Sequence, residues 1–295
     1  MRALVGVDWG TSSLRAARLG AGGEVLEERS SARGILSVPA GGFPAVLQET
    51  CGDWLGGDAL CLVSGMAGSR QGWQEAPYCA CPAGFAEVAR SLTWITPGRI
   101  ALVPGLSCEE RGLPDVMRGE EVQVFGALGR LGLQDGTFVL PGTHSKWVEV
   151  QDARVRSFST YMTGETYALL RQHSILARTL PAGDGAAPDE EAFTRGVREA
   201  QAAGSLLRSA FGVRTLALFE RAAPAALASY LSGLVIGEEL RARAPLPREV
   251  VLVGSPALTA RYALALRTLA WDSRSIGSEA TWHGLWALAR TLETP

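Results

Sequence analysis

A short turn near the start of the chain carries groups that can bind phosphate and magnesium. An apolar segment ends at Asp8, and Gly10, Thr11 and Ser12 follow it. Backbone amides and hydroxyls can bind phosphate oxygens, a glycine permits close approach, and a carboxylate can hold hydrated Mg²⁺. An ordinary hairpin turn uses the same residue types. The turn therefore predicts either a phosphate and Mg²⁺ site, with Asp8 as the metal ligand, or a plain chain reversal.

A second hydroxyl-rich turn lies near the middle of the chain and runs through Gly142, Thr143, His144, Ser145 and Lys146. Two such turns could hold a polyphosphate from opposite sides. Lys146 is the only lysine among 28 basic residues, and a site that seats a compact ammonium beside a phosphate resists arginine. We therefore predict a phosphate contact for Lys146, with codon usage in a GC-rich genome as the alternative. His144 is assigned no role as a base.

A third glycine turn, at Gly254 and Ser255, follows an apolar strand and precedes a helix. An adenine or a ribose could lie across this turn, because the start of a helix and its glycine loop can receive nucleotide groups. The alternative is an ordinary strand-to-helix connection.

The turns belong to a plan of strands that occurs twice. Strands separated by short turns are predicted at residues 2–8, 14–19, 24–29, 137–140, 146–150 and 154–161. In each group of three, a hydroxyl-rich turn connects the first strand to the second. The remaining pattern predicts helices at 43–55, 120–131, 191–211, 225–243, 257–270 and 279–292, and strands at 59–64, 99–103 and 249–253. This alternation is typical of an α/β fold.

Composition limits the classes of partner. The chain has 295 residues, 47% of them apolar, with 28 basic against 30 acidic side chains, which predicts a globular protein that does not bind nucleic acid. No apolar run is long enough to cross a membrane, and the start lacks the features of a secretory signal. The five cysteines form no CxxC pair, so we interpret them as reduced thiols. We expect a cytoplasmic protein with no membrane partner.

The three turns, in this order and on this duplicated plan, resemble the phosphate-1, phosphate-2 and adenosine motifs of the actin-like ATPase superfamily, which has a ribonuclease H-like fold. The resemblance implies two lobes with a nucleotide cleft between them. It implies an N-terminal lobe at residues 1–131 and a C-terminal lobe at 132–278, with the helix at 279–295 packed back on the first lobe. The helices at 120–131 and 225–243 are similar to the two connecting helices of the hinge.

Four longer motifs narrow the resemblance to one family. GMAGSRQGW at 65–73, PDVMRGEE at 114–121, LPGTHSKW at 140–147 and MTGE at 162–165 resemble the 2-keto-3-deoxygalactonate kinases over almost the whole chain. The resemblance implies ATP and Mg²⁺ as cofactors and a small sugar acid as substrate. The implied activity transfers the γ-phosphoryl group of ATP to the 6-hydroxyl of 2-keto-3-deoxygalactonate, the second step of De Ley-Doudoroff galactonate breakdown.

The resemblance also implies roles for acidic residues. Phosphoryl transfer to a hydroxyl needs a group that takes the proton, and a carboxylate is the expected one. Sugar kinases of the glycerol type place Gly-Asp at the start of the first connecting helix. Here Glu120 follows Gly119, so Glu120 is the predicted base and Glu121 the alternate, although the first turn of a helix favours carboxylates in any case. Glu165 would contact Mg²⁺ or cap its helix.

A sugar acid needs a partner for its carboxylate, and a guanidinium can bind one through two parallel hydrogen bonds. Arg70 and Arg118 lie in the family-like motifs and are the candidates, with a solvated surface position as the alternative for each. Trp73 would form a wall beside the sugar or pack in the core. The predicted substrate-binding residues are Ser69, Arg70, Gln71, Trp73 and Arg118.

Two alternatives for the function stay open. A kinase of the same fold could act on another hexose or aldonate, because pocket residues rather than the fold select the acceptor. A non-catalytic nucleotide-binding regulator of the same fold is the second alternative. The sequence also leaves open whether the chain forms a homodimer.

Overall fold

The computed structural model describes residues 2–181, 188–245 and 249–293. The chain divides into two compact units. The first comprises Met1–Gly136, Val148–Ser159 and Ile276–Pro295, and the second comprises Thr137–Trp147 and Thr160–Ser275. Within the described ranges, no helix is both long enough and apolar enough to cross a membrane.

Strands and helices alternate along the described chain. The strands are β1 (Leu4–Trp9), β2 (Leu14–Leu19), β3 (Val25–Ser31), β4 (Leu60–Gly65), β5 (Cys79–Ala80), β6 (Thr93–Thr96), β7 (Ile100–Leu102), β8 (Leu106–Glu110), β9 (Leu113–Met117), β10 (Gly136–Leu140), β11 (Ser145–Gln151), β12 (Arg154–Tyr161), β13 (Glu249–Val253) and β14 (Asp272–Ile276). The helices are α1 (Phe43–Cys51), α2 (Phe85–Arg90), α3 (Glu120–Leu131), α4 (Thr163–His173), α5 (Glu190–Ala203), α6 (Leu206–Ser209), α7 (Phe211–Leu218), α8 (Pro224–Arg243), α9 (Pro256–Thr268) and α10 (Ala280–Glu293).

The first unit contains a six-stranded sheet with strand order β3-β2-β1-β4-β7-β6. β1 occupies a central position because its side chains are mostly apolar and both of its faces are covered. It pairs antiparallel with β2 and parallel with β4. Asp8 therefore lies opposite Arg15 on one side and Ser64 on the other, and β1 and β4 end at the same edge of the sheet.

Helices cover this sheet and complete its core. Val5, Val7 and Trp9 of β1 belong to a core cluster that also contains apolar residues of α1. α10 contacts β1 and packs closely on α3. A Cβ atom on Gly126 of α3 would lie only 1.8 Å from the carbonyl oxygen of Ala280, so this helix crossing requires a residue without a side chain.

The second sheet repeats the plan of the first. Its strand order is β12-β11-β10-β13-β14, and β10 pairs in parallel with β13 as β1 does with β4. The predicted duplication of an α/β arrangement is therefore confirmed. α5 and α8 also cross closely, since a Cβ atom on Gly233 would lie 2.0 Å from the carbonyl oxygen of Phe193.

Three differences from the predicted elements have local explanations. The helix predicted at 191–211 ends at Ala203 because Gly204 adopts a left-handed conformation with φ of 69°, and α6 and α7 follow it. The helix predicted at 43–55 ends at Cys51 and continues as a short 3-10 turn. A third sheet, with order β5-β8-β9, escapes the sequence analysis, since β5 has only two residues and the hairpin of β8 and β9 carries charged and exposed residues.

Candidate active site

The turn after β1 is exposed and held by backbone hydrogen bonds. The amide of Gly10 donates to the carbonyl of Ser13 at 2.8 Å, and the amide of Ile35 donates to the carbonyl of Gly10 at 3.0 Å. The side chains of Thr11 and Ser12 are exposed. The turn therefore keeps two hydroxyls accessible to a ligand, as the phosphate prediction requires.

Asp8 forms an ion pair at the end of β1. Its Oδ2 accepts a hydrogen bond from Nη2 of Arg15 at 2.6 Å, and Nη1 of Arg15 donates to Oγ of Ser278 at 3.1 Å. Among the described residues, no group of three or more His, Cys, Asp or Glu side chains could hold a metal ion. Mg²⁺ usually needs only one or two carboxylates beside phosphate oxygens and water. The carboxylate of Asp8 fits that chemistry, but it would share its charge between Mg²⁺ and Arg15.

The ends of β1 and β4 meet the start of α3 through glycines. Gly65 ends β4 with φ of 89°, and a Cβ atom there would lie 2.8 Å from the carbonyl oxygen of Trp9. Gly119 precedes α3 with φ of 104°, and its Cβ would lie 3.3 Å from Cα of Gly65. Both positive φ values favour glycine. The close contact between Gly65 and Gly119 therefore brings together the motif segments 65–73 and 114–121 of the sequence analysis.

Arg118 is a buried cation whose hydrogen-bonding capacity is only partly used. The residue is 8% exposed, its Nη2 donates to the carbonyl of Ala76 at 2.8 Å, and its guanidinium lies 4.4 Å from the ring centre of Tyr78. Its Nε and Nη1 atoms are buried without a hydrogen-bond partner, as are the hydroxyls of Ser64 and Ser69 in the adjoining segment. Buried polar groups without partners are unfavourable, so this cluster suits a bound polar ligand.

The two carboxyls at the start of α3 differ in burial and in hydrogen bonding. Glu120 is partly exposed, and its Oε2 accepts from the amide of Arg118 at 2.9 Å. Oε2 of Glu121 accepts from the amide of Gly119 at 2.7 Å, while Oε1 of Glu121 is buried without a partner. Burial, followed by the nearby charge of Glu120, raises the pKa of Glu121 to about 8. Glu121 is therefore largely protonated at neutral pH, and a protonated carboxyl cannot serve as a base.

Arg70, Gln71 and Trp73 have surroundings that account for them without a ligand. The side chain of Arg70 is 86% exposed, and its Nε donates to Oε1 of Glu75 at 2.9 Å. Gln71 is exposed. The ring of Trp73 stacks on that of Phe43, with ring centres 6.2 Å apart, and packs against the core cluster of the first unit. Solvation of Arg70 and core packing of Trp73 are the alternatives that the sequence left open, and substrate contacts of Arg70, Gln71 and Trp73 stay predictions.

In the second unit, the turn after β10 presents exposed groups beside a cavity. Thr143 and His144 are exposed, and Nε2 of His144 lies 2.6 Å from Oε2 of Glu165. The amide of Glu165 donates to the carbonyl of Thr143 at 3.0 Å. A cavity of about 540 Å³ is lined by residues of the turn, α4 and the start of α9, including Gly142, Thr143, Gly164, Glu165 and Leu258. The turn and two helix starts therefore surround one space.

The glycine turn after β13 lies beside the turn after β10. β10 and β13 are parallel neighbours, so their carboxyl ends share one edge of the sheet. Gly254 has φ of 146°, and a Cβ atom there would lie 3.9 Å from the carbonyl oxygen of Pro141. Ser255 is exposed and precedes α9. A larger cavity of about 770 Å³, among α4, α5, α8 and α9, contains none of the predicted site residues in its lining.

Two predicted phosphate ligands of the second unit have buried side chains. Oγ of Ser145 donates to Oε1 of Glu239 at 2.8 Å in the interior. Lys146 is 6% exposed, and its Nζ donates to Oγ1 of Thr160 at 2.7 Å. Both faces of β11 are covered where it begins, so neither side chain reaches solvent. Burial does not favour the phosphate contacts of Ser145 and Lys146, which stay predictions.

Three polar residues near these turns escape the sequence analysis. Arg15 on β2 pairs with Asp8 on β1, Ser64 near the end of β4 has an unpartnered hydroxyl, and Glu239 is buried in α8. The length of the first hairpin turn sets the register that places Arg15 opposite Asp8. For Glu239 the sequence offers no distinct signal, because Glu238, Arg241 and Arg243 give the end of α8 the composition of an ordinary charged helix end.

Comparison of the sequence with known proteins gives full-length matches. A family model described as 2-keto-3-deoxy-galactonokinase matches residues 8–288. A relative named as a 2-dehydro-3-deoxygalactonokinase of Rhizobium meliloti is 39% identical over 294 residues, which cover 97% of this chain and 96% of the relative. The 2-dehydro-3-deoxygalactonokinase of Escherichia coli is 32% identical over 292 residues, which cover 98% of each chain.

Solved structures extend the similarity to the fold. A protein of Sinorhizobium meliloti that carries the same kinase name has a TM-score of 0.91 and 38% identity, and the match covers 99% of this chain and 100% of that chain. The activator of the 2-hydroxyisocaproyl-CoA dehydratase from Clostridium difficile, with bound ADPNP, has a TM-score of 0.52 and 13% identity, with 99% and 96% covered. The second likeness concerns the fold alone. Together with the duplicated strand order, it confirms the actin-like ATPase fold predicted from the sequence.

Proposed function

This chain belongs to the 2-keto-3-deoxy-galactonokinase family, and on that premise we propose that it transfers the γ-phosphoryl group of ATP to the 6-hydroxyl of 2-keto-3-deoxygalactonate. The enzyme is a phosphotransferase with an alcohol group as acceptor, and its substrate is a small sugar acid. The structural observation that carries the proposal is the buried guanidinium of Arg118 with two unpartnered N–H groups.

The carboxylate of the acceptor binds to Arg118. Nε and Nη1 of this residue lack partners although the residue is almost fully buried, and a carboxylate could accept a charge-assisted hydrogen bond from one of them. The hydroxyls of Ser64 and Ser69 are buried and unpartnered in the same part of the first unit, and they suit the hydroxyl groups of a sugar. The charge and the polar groups of this cluster therefore favour an acid of the sugar type over a neutral hexose.

Glu120 takes the proton of the attacking hydroxyl. General-base catalysis needs an ionised carboxylate near the acceptor. The amide of Arg118 donates to Glu120, which fixes its carboxylate beside the residue that binds the acceptor. The raised pKa of Glu121 leaves that carboxyl neutral, and its hydrogen bond to the amide of Gly119 gives it an anchoring role at the start of α3.

The exposed turns bind ATP. Thr143 and His144 present backbone and side-chain groups to the phosphates, and Thr11 offers a second hydroxyl turn in the first unit. The turn at Gly254 and Ser255 receives the adenosine. The turns after β10 and β13 lie next to each other, since a Cβ atom on Gly254 would lie 3.9 Å from the carbonyl oxygen of Pro141. This supports the assignment, because the phosphates and the adenosine of one nucleotide must bind close together.

Asp8 and Glu165 have the oxygen ligands that Mg²⁺ prefers. Bound with the phosphates, the ion would neutralise charge on the transferred phosphoryl group. The remaining catalytic contributions come from the protein's own groups, which orient the acceptor and remove its proton.

A coupled assay with purified protein, ATP and Mg²⁺ tests the proposed acceptor. We expect turnover with 2-keto-3-deoxygalactonate, a lower kcat/KM with its gluconate epimer, and no significant turnover with neutral hexoses. Protein that binds or hydrolyses ATP but phosphorylates no sugar acid would contradict the proposal and favour a nucleotide-binding regulator.

A further inference from the structure

A buried carboxylate in the second unit takes part in none of the roles described above. Glu239 lies on α8 and is 2% exposed. Its Oε1 accepts hydrogen bonds from Oγ of Ser145 at 2.8 Å and Nε1 of Trp147 at 2.6 Å. Its Oε2 accepts from Oη of Tyr262 at 2.7 Å and from Oγ1 of Thr163. Donors from β11, α4 and α9 therefore converge on one side chain.

Two of the four donors flank the turn after β10. Ser145 is the first residue of β11, directly after the turn, and Thr163 is the first residue of α4. α4 is itself attached to the turn, because the amide of Glu165 donates to the carbonyl of Thr143. Glu239 therefore fixes both the strand that leaves the turn and the helix that packs on it.

A role in core packing alone does not explain a carboxyl at this position. All four of the groups that donate to Glu239 are neutral, so none of these donors brings a positive charge to offset the loss of water around the carboxyl. Burial raises its pKa, and the hydrogen bonds from its partners oppose that rise. An apolar side chain would avoid the unfavourable desolvation, but it would leave the four donors without a common acceptor and without a fixed geometry.

We infer that Glu239 is a positioning residue for the nucleotide, which holds the turn of Gly142, Thr143 and His144 in the geometry that receives the phosphates of ATP. This inference rests on the proposed function, because that function assigns the phosphates to the turn. Glu239 touches no substrate and acts through Ser145 and Thr163.

Two single substitutions each remove one hydrogen bond to Oε2 of Glu239, and the two donors lie on different helices. Thr163→Val removes the donor next to the turn, and Tyr262→Phe removes the donor on α9. We expect Thr163→Val and Glu239→Gln to raise the KM for ATP about tenfold, because hydrogen bonds to a charged group that fix the turn are lost. The KM for the acceptor should not change. Tyr262→Phe, the matched control, should leave the KM for ATP within about twofold.

Hydrogen exchange at the amides of residues 142–145 gives a second readout that requires no nucleotide. Glu239→Gln and Thr163→Val should speed exchange there, whereas Tyr262→Phe should not. Unchanged exchange in Glu239→Gln, or equal effects of Thr163→Val and Tyr262→Phe, would reduce Glu239 to a core residue and overturn the inference. A wild-type protein that binds no ATP would instead overturn the proposed function, and the exchange comparison would still decide the role of Glu239.

Discussion

Arg118 and Arg70 lie in similar motif contexts, but their surroundings differ. Arg118 is buried with two unpartnered N–H groups, and Arg70 is exposed and paired with Glu75. We expect Arg118→Ala to raise the KM for 2-keto-3-deoxygalactonate about a hundredfold, because a charge-assisted contact to the carboxylate is lost. The KM for ATP should stay within a few-fold of the wild-type value, and steady-state kinetics with each substrate varied in turn measures both.

Arg70→Ala is the matched control for this substitution. It removes the same charge from an exposed ion pair that contributes little, so both KM values should stay close to those of the wild type. If Arg70→Ala weakened acceptor binding as much as Arg118→Ala, the carboxylate site would have to be moved to the exposed loop.

The assignment of the base depends on the difference between the two neighbouring glutamates. Glu120→Gln should reduce kcat by about a hundredfold or more, with little change in ATP affinity, because the group that accepts the proton is removed. Glu121→Gln replaces a largely protonated carboxyl by a neutral side chain of the same shape, so its effect on kcat should be much smaller. Near-normal turnover of Glu120→Gln at saturating substrate would dismiss Glu120 as the base.

At the scale of elements, the start of α3 depends on a close contact between α3 and α10. Gly126→Ala would place a methyl group 1.8 Å from the carbonyl oxygen of Ala280, and the two helix backbones would have to separate. We expect a loss of about 1–3 kcal/mol in the free energy of unfolding, as for other overpacked sites. Urea unfolding of the variant and the wild type measures this difference.

Gly129→Ala in the same helix separates packing from helix propensity. A Cβ atom at Gly129 meets only the side chain of His283, at 3.1 Å, which can move. Alanine also favours a helix by up to about 1 kcal/mol relative to glycine. This variant should therefore be neutral or slightly more stable, and a loss equal to that of Gly126→Ala would disprove the packing argument.

The elements that the sequence predicts well are those whose signal is local. β1 is an almost continuous apolar run, and α8 begins with Pro224 at its first position and contains no later proline. In the sheet β5-β8-β9, β5 pairs with a segment distant in sequence, and its two residues are too few to show a period. β8 and β9 form a local hairpin, which the sequence analysis did not identify. The break at Gly204 follows from a left-handed conformation that a glycine permits but does not require.

The same distinction applies to the residues of the candidate site. Turn composition is local, and the exposed hydroxyls of Thr11 and Thr143 agree with the sequence analysis. The partners of a side chain, in contrast, can lie far from it in sequence. Ser145 bonds to Glu239, which lies 94 residues away, and Arg118 bonds to the carbonyl of Ala76, 42 residues away. Contacts of this kind decide which motif residues remain available to a ligand.

At the scale of the molecule, the two units repeat one plan but differ in the groups that they bury near their turns. The first unit buries Arg118 and Glu121, and the second buries Lys146 and, among neutral donors, Glu239. In both units, a strand order that places two parallel strands side by side brings a turn to the same edge of the sheet. The duplicated plan thus gives each unit one turn that can bind a ligand. The buried charged residues differ between the units, and we assign acceptor binding to Arg118 in the first unit and positioning of the nucleotide to Glu239 in the second.

These buried carboxyls also make stability depend on pH. The pKa of Glu121 is about 8 in the folded protein, against an ordinary value of 4.5, so between these values the folded state holds a proton that the unfolded state has lost. Unfolding then releases a proton, and the free energy of unfolding falls as pH rises, by up to about 1.4 kcal/mol per pH unit. Glu239 has the same direction of shift, whereas His283, whose pKa is lowered by burial, acts in the opposite direction below its ordinary value of 6.5.

The interval from pH 6.5 to 8 therefore isolates the buried carboxyls. We expect the wild type to lose stability steadily across this interval, and Glu121→Gln to lose markedly less, since glutamine carries no titrating proton. Urea unfolding at a series of pH values measures both slopes, with Glu120→Gln as the control for a neighbouring, partly exposed carboxyl. Parallel slopes for Glu121→Gln and the wild type would mean that Glu121 is already ionised in the folded protein, and its exclusion as the base would then no longer hold.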